Sequence, residues 1–165
     1  MSAVLTHYRT GPANYQAATL IYGGQWVQPN TLTAGTTDLT IKLALSASVN
    51  VLGVAGTDAN VISTQTGAAN AYGAPLIDIS VLGDYVPVWY GPADIWCWYM
   101  GAAICGQKLI IGATAGFCTA AGAGPASDQV VGTCTHPGGV SSAMLTQQVG
   151  GQGTAAYFLG RARLA

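Results

Sequence analysis

The sequence predicts an all-β protein, a compact β-barrel or β-sandwich of short antiparallel strands, and three observations carry that prediction. The best surface-helix formers are scarce: there is no Glu, and the only Lys are Lys42 and Lys108, whereas Gly occurs 23 times and β-branched residues are plentiful. Turn signals recur about every eight to fifteen residues, a spacing of sandwiches and barrels and not of βαβ units. Two segments also alternate with the strand period of two.

Taken in order, residues 1–16 read as an irregular N-terminal arm, because their apolar residues hold no period and Gly11-Pro12 punctuates them. A single β-rich domain is expected over 17–165. Ala17 to Tyr22 meets Gly23-Gly24 and is followed by Gln25 to Gln28, which predicts a hairpin that Pro29 stops. Asp38 to Leu45 alternates, with Leu39, Ile41, Leu43 and Leu45 on one face and Thr40, Lys42 and Ala44 on the other. Val49 to Val54 is a further strand, and the polar, Gly-rich run from Ser63 to Ala74 is a loop. Leu76 to Leu82 alternates again and turns at Gly83-Asp84 into Tyr85 to Tyr90.

Asp94 to Met100, Lys108 to Ile111, Gly116 to Thr119, Gln129 to Thr135, Val140 to Gln148 and Ala155 to Leu164 complete the strand set. At most one or two short helices are expected, with Ile95 to Ala103 and Ser141 to Gln148 as the candidates. An internal echo links Leu32 to Gly35, Asp38 and Val51 to Asp58 with Cys118 to Gly122, Asp128 and Val130 to His136. Its insertion lengths differ, so it hints at related hairpins and does not amount to a repeat.

Composition narrows the function classes. Charged residues make up 7% of the chain, against about 25% in an ordinary soluble domain, and the formal net charge is −1. Such a surface suits a chain covered by symmetry mates or a larger assembly. Nucleic acid is not expected as a partner, since phosphate binding needs clustered Lys and Arg; here only Arg161 and Arg163 stand close together. A membrane span is not expected either: the most apolar region, Tyr85 to Cys105, is broken by Pro87, Pro92 and Asp94. The start of the chain lacks the pattern of a signal peptide. The four cysteines, at 97, 105, 118 and 134, form no close-spaced pair, which predicts free thiols in a reducing compartment and no zinc site.

No catalytic constellation emerges. His7 and His136 lack a nucleophile elbow beside them, and a lone loop histidine is most often turn or surface chemistry. Asp84 and Asp94 flank an aromatic segment, as a glycosidase pair could, but both stand where turns are expected. The Gly-rich segments near 122 and 150 lack the Lys-Ser/Thr of a phosphate loop. No enzyme activity, cofactor or metal is therefore expected. The aromatic segment places Trp89, Trp96 and Trp98 within ten residues. One of its faces is expected to fill the core, leaving Trp89, Tyr90 and Trp96 as interface anchors together with Leu5, His7, Tyr8, Arg9 and Tyr15 of the arm.

The order of several short motifs carries a resemblance. Gly23-Gly24-Gln25-Trp26-Val27 is followed by Val51-Leu52-Gly53-Val54 with Asp58-Ala59, then Val86-Pro87-Val88. Gly106-Gln107-Lys108-Leu109, Gly116, Val130-Val131-Gly132 and the strand-forming tail from Ala155 to Leu164 come next. Over about residues 17 to 164 this order resembles the head decoration, or capsid cement, proteins of tailed bacteriophages. The aromatic insertion at 85–100 departs from that pattern.

The resemblance implies a β-rich subunit made in the host cytoplasm and added to the outer surface of the virion. It implies the major capsid protein as partner, a homo-oligomer with a trimer favoured, and a role in clamping neighbouring capsid subunits against the pressure of packaged DNA. It brings no catalytic residues with it. A carbohydrate-binding module using Trp89, Trp96 and Trp98 as a stacking platform is the alternative, with a head-fibre or tail subunit as a further one.

Overall fold

The computed structural model describes residues 12–31, 40–56, 79–80, 83–126, 129–149 and 156–165, and in these the chain is all-β. Strand β1 is Ala13–Ala17, β2 Ile21–Tyr22, β3 Trp26–Pro29, β4 Thr40–Leu43, β5 Gly53–Ala55, β6 Ile79–Ser80 and β7 Tyr85–Trp89. Strand β8 is Asp94–Tyr99, β9 Lys108–Ile111, β10 Cys118–Ala120, β11 Gly132–Cys134 and β12 Phe158–Leu164. Of the two helix candidates, Ile95 to Tyr99 belongs to β8, whereas 141–148 holds a short 3-10 helix, Ser142–Met144. No helix among the described residues is long and apolar enough to cross a membrane.

The strands close two barrels where the sequence suggested one sheet system. The first ring runs β1-β4-β3-β5-β7 and returns to β1; the second runs β8-β10-β9-β11-β12 and returns to β8. Closure leaves neither ring an unpaired edge. Each ring contains one parallel pair, β1 with β4 and β8 with β10, among otherwise antiparallel neighbours. The expected antiparallel arrangement holds for every other pair in the two rings.

The two barrels have the same topology and the same register. Strands β1, β3, β4, β5 and β7 correspond in turn to β8, β9, β10, β11 and β12. Val27 opposite Gly53 matches Leu109 opposite Gly132, and Val54 opposite Trp89 matches Thr133 opposite Arg163. Val27 opposite Leu43 matches Leu109 opposite Ala120, and Ala17 opposite Ile41 matches Tyr99 opposite Cys118. Ala13 opposite Val88 matches Ile95 opposite Ala162. All five ladders therefore superpose without a slip.

This duplication gives the sequence echo its physical content. Val51-Leu52-Gly53 and Val130-Val131-Gly132 enter equivalent strands. A Cβ on Gly53 would run into the carbonyl oxygen of Trp89, and one on Gly132 into that of Arg163. A strand start that approaches its neighbour's backbone so closely admits only glycine. The other half of the echo does not superpose: Cys118 corresponds to Ile41, and Leu32 to Gly35 lie outside the described residues.

Three further expectations change. The predicted hairpin is a real turn, with the Gln25 N–H donating to the Tyr22 carbonyl, but β2 pairs with β6 while β3 pairs with β4 and β5. Alternation in β4 stops at Leu43: Ala44 turns into the core and Leu45 out to solvent. The arm expected to end at residue 16 already forms β1 from Ala13 onward, paired on both sides. Residues 1–11 and the expected loop from Ser63 to Ala74 lie outside the described residues.

The inside of the first barrel is Ala17, Val27, Ile41, Ala55, Val86 and Val88. The second is filled by Cys97, Tyr99, Leu109, Cys118, Cys134 and Ala162, with Trp26, Val54 and Trp89 of the first barrel packed into the same cluster. Burying a side chain as large as Trp26 contributes roughly 2–3 kcal/mol to holding the barrels together. Across the seam the Trp26 N–H donates to Gly116 at 2.9 Å, the Gly116 N–H to Ala44 at 2.8 Å, and the Trp98 N–H to Gly24 at 3.0 Å. A satellite layer of Tyr22, Trp98, Phe117, Val149 and Leu159 covers one flank of that junction.

Candidate functional site

The residues expected to form an interface are not brought together. Leu5, His7, Tyr8 and Arg9 lie outside the described residues. Tyr15 is no arm residue but part of β1, half-buried against the core of the first barrel. Trp89 ends β7 opposite Val54 and packs at the seam. Tyr90, next to it, lines a cleft of about 90 Å³ with Trp26, Val49, Val51, Val131 and Leu164. That space holds about three water molecules, well below the several hundred Å³ of an ordinary small-molecule pocket.

Trp96 stands elsewhere, on the outer wall of the second barrel, opposite Arg161. Trp98, one strand step further, is 1% exposed; its indole N–H donates to the Gly23 carbonyl at 2.8 Å. The three tryptophans therefore form no common platform. Alternation along β8 explains the split: Cys97 and Tyr99 point into the barrel, while Trp96 and Trp98 point out and only Trp98 is covered.

Inside the second barrel, three thiols surround Tyr99. The sulfurs of Cys97 and Cys118 are 3.9 Å apart, and the Tyr99 hydroxyl donates to the Arg161 carbonyl at 2.8 Å. Burial first, and the neighbouring Cys118 second, push the Cys97 thiol well above its ordinary range. Tyr99 is pushed up likewise, chiefly by burial. Groups held so firmly neutral pack as apolar filling and are poor nucleophiles. Cys105 differs, being exposed on the turn between Ile104 and Gln107.

His136 sits at the edge of this core. It is 7% exposed, lies edge-on to Phe158 at 5.1 Å and to Trp96 at 6.4 Å, and its Nδ1 has no hydrogen-bond partner among the described residues. Desolvation, and secondly the Arg161 charge, hold its pKa below the ordinary histidine value. No nucleophile among the described residues hydrogen-bonds to it, so the ring packs as a wall between two aromatic side chains. Asp94 is likewise engaged: it accepts from Arg161 at 2.9 Å and from the Thr135 hydroxyl at 2.6 Å.

The surface offers two features that sequence reasoning missed. Large apolar side chains are exposed at Leu20, Leu45, Val49, Tyr85 and Ile104, the last two at 73% and 75%. Leu45 opens a tight turn closed by the Ser48 N–H, in which Ala47 takes a positive φ of 58°, and Val49 follows directly after it. The second feature is a polar row across the outer wall of the second barrel, running Lys108, Thr133, Arg163, Asp94 on adjacent strands. Arg161 lies two residues along β12 from Arg163 on the same outward side. The Arg-Ala-Arg spacing was a visible signal for part of this row, but its junction with Lys108 depends on pairing across more than fifty residues.

Comparison with protein-family models, with curated proteins and with solved structures gives no match.

Proposed function

We propose that this chain is a virion structural protein that binds the outside of an assembled phage capsid and stabilises contacts between major capsid subunits. The observation that carries the reading is the exposure of large apolar side chains on a surface with very few charges. Scattered apolar exposure is ordinary on a soluble protein. Here the usual charged surround is missing, so covering these side chains in an assembly removes apolar area with little desolvation of charge. Two barrels locked through a shared core make a stiff block, which suits a clamp that must resist strain. The order of motifs shared with the decoration proteins supports the same reading, including a homo-oligomeric, trimeric state on the shell.

The experiment is co-sedimentation of the purified protein with empty shells assembled from the major capsid subunit of the same phage. Binding to shells, with none to unassembled subunits, is the expected result. A protein that stays in the supernatant at every concentration tried removes the reading and favours a head-fibre or tail role. The glycan-binding alternative draws no support from the geometry, since Trp98 is covered and Trp89 packs at the seam.

A further inference from the structure

Equivalent walls of the two barrels have opposite chemistry. On the first barrel, neighbouring strands place Trp26 opposite Val54 and Val54 opposite Trp89. All three pack into the core of the second barrel, so this wall is a contact face already in use. The superposed row on the second barrel is Lys108 opposite Thr133 and Thr133 opposite Arg163. Lys108 and Arg163 are exposed there, and nothing in the described chain covers them.

Charge is concentrated on this wall. The described cations are Lys42, Lys108, Arg161 and Arg163, and three of the four stand here. Among the described side chains Asp94 is the one carboxylate beside them, and it is paired with Arg161. Among the described residues Lys108 and Arg163 make no ion pair, so the wall has an excess of two positive charges on a chain whose net charge is −1. Half-buried Trp96 lies opposite Arg161 in the same wall. Trp and Arg are both among the residues enriched at binding hot spots.

We infer that this wall of the second barrel docks an acidic protein surface, with Lys108 and Arg163 meeting carboxylates and Trp96 supplying the apolar anchor. The inference rests on the capsid reading for the partner's identity, an acidic patch on the outer face of the shell. Charge complementarity favours that occupant over the others. A nucleic-acid partner is met by Lys and Arg clustered along the phosphate backbone, and two unpaired cations make a small footprint for one. A second copy of this chain has no carboxylate cluster to offer among its described residues, where Asp84 and Asp94 lie on different barrels.

The test uses the full chain, the double variant K108E/R163E, and K42E as a charge reversal on the first barrel. Both residues of the double variant are exposed, so folding is preserved and is verified by an unchanged melting temperature. Each protein is co-sedimented with assembled shells at low and at physiological salt, and passed over immobilised poly-L-glutamate and immobilised single-stranded DNA. The expected result is shell binding by the wild type that weakens with salt, at least about tenfold weaker binding by K108E/R163E, and little change for K42E. Equal binding of wild type and double variant to shells overturns the inference and leaves the capsid reading standing. If the wild type ignores shells, the capsid reading fails and poly-L-glutamate decides: retention lost in the double variant supports the acidic-surface assignment, and no retention overturns it. Stronger retention on DNA than on poly-L-glutamate also overturns it, in favour of a nucleic-acid partner.

Discussion

The indole N–H of Trp98 donates to the carbonyl oxygen of Gly23 at 2.8 Å, and through that bond a strand of the second barrel holds the Gly23-Gly24 turn of the first. The same strand residue donates its backbone N–H to Gly24. Leu159 and the Trp98 ring close over Gly24 so tightly that a Cβ there would stand 2.9 Å from Leu159 Cδ1. The turn is therefore a latch between barrels, which explains why it does not serve as the tip of a hairpin.

Cutting the latch should destabilise the whole chain. Trp98→Phe keeps most of the apolar bulk and leaves the buried Gly23 carbonyl without its donor, at a cost of about 1–3 kcal/mol. Trp98→Ala adds a cavity and should cost about 3–5 kcal/mol. Urea unfolding followed by far-UV circular dichroism measures both. A Trp98→Ala protein as stable as wild type would show that the latch contributes nothing.

The duplicated register makes a paired forecast for two glycines. Gly53→Ala and Gly132→Ala each push a methyl group into a neighbouring strand's carbonyl oxygen. Each should lose at least about 3 kcal/mol or fail to accumulate as folded protein. Gly91 has a positive φ of 73° but open space around it, so Gly91→Ala should cost only about 1–2 kcal/mol. Gly132 has no positive φ, so a Gly132→Ala loss no larger than that of Gly91→Ala would mean that close approach is not what this glycine serves.

Much of the strand set was legible because period-two alternation and turn chemistry are local. Lys108 to Ile111 was read with both ends correct, and Tyr85 to Tyr90 and Asp94 to Met100 each overran by one residue. What the sequence hid was pairing. Nothing near Gly23-Gly24 tells that Trp98 captures the turn, and nothing near Leu45 tells that Ala44 is needed in the core instead. The duplication stayed hidden for a related reason. Equivalent positions keep burial and not identity, as Ile41 with Cys118 or Val88 with Ala162 show. Only the two strand-entry glycines, constrained by backbone contact, left a recognisable trace. Of the described members of the expected interface set, Trp96 alone falls on the wall that the fold makes distinctive.

His136 predicts an acid-side loss of stability. Its folded-state pKa lies below the ordinary value of 6.5, because burial and then Arg161 disfavour the charged ring. Above that value the ring is neutral whether the chain is folded or not, and it adds no pH dependence. As the pH falls below 6.5 the unfolded chain takes up the proton first, so stability drops until the folded ring also titrates. His136→Phe removes the proton and keeps an aromatic ring beside Phe158, so its melting temperature should fall less than that of wild type between about pH 7 and about pH 5. Equal falls in the two proteins would exclude His136 as the source.

The thiols should divide by burial. Cys105 is exposed, whereas Cys97, Cys118 and Cys134 are buried. Titration of the native protein with a thiol reagent should give one fast-reacting group per chain, and four after denaturation. Cys105→Ser should abolish the fast reaction. Two or more fast groups in the native protein would mean that the second barrel opens readily.

The capsid role is tested most directly by a cryo-electron microscopy reconstruction of particles from the source of this sequence. Regular density on the outer shell that fits two fused five-stranded barrels and touches several capsid subunits is the expected result. A shell whose outer surface lacks such density, in particles shown to contain the chain, would contradict it.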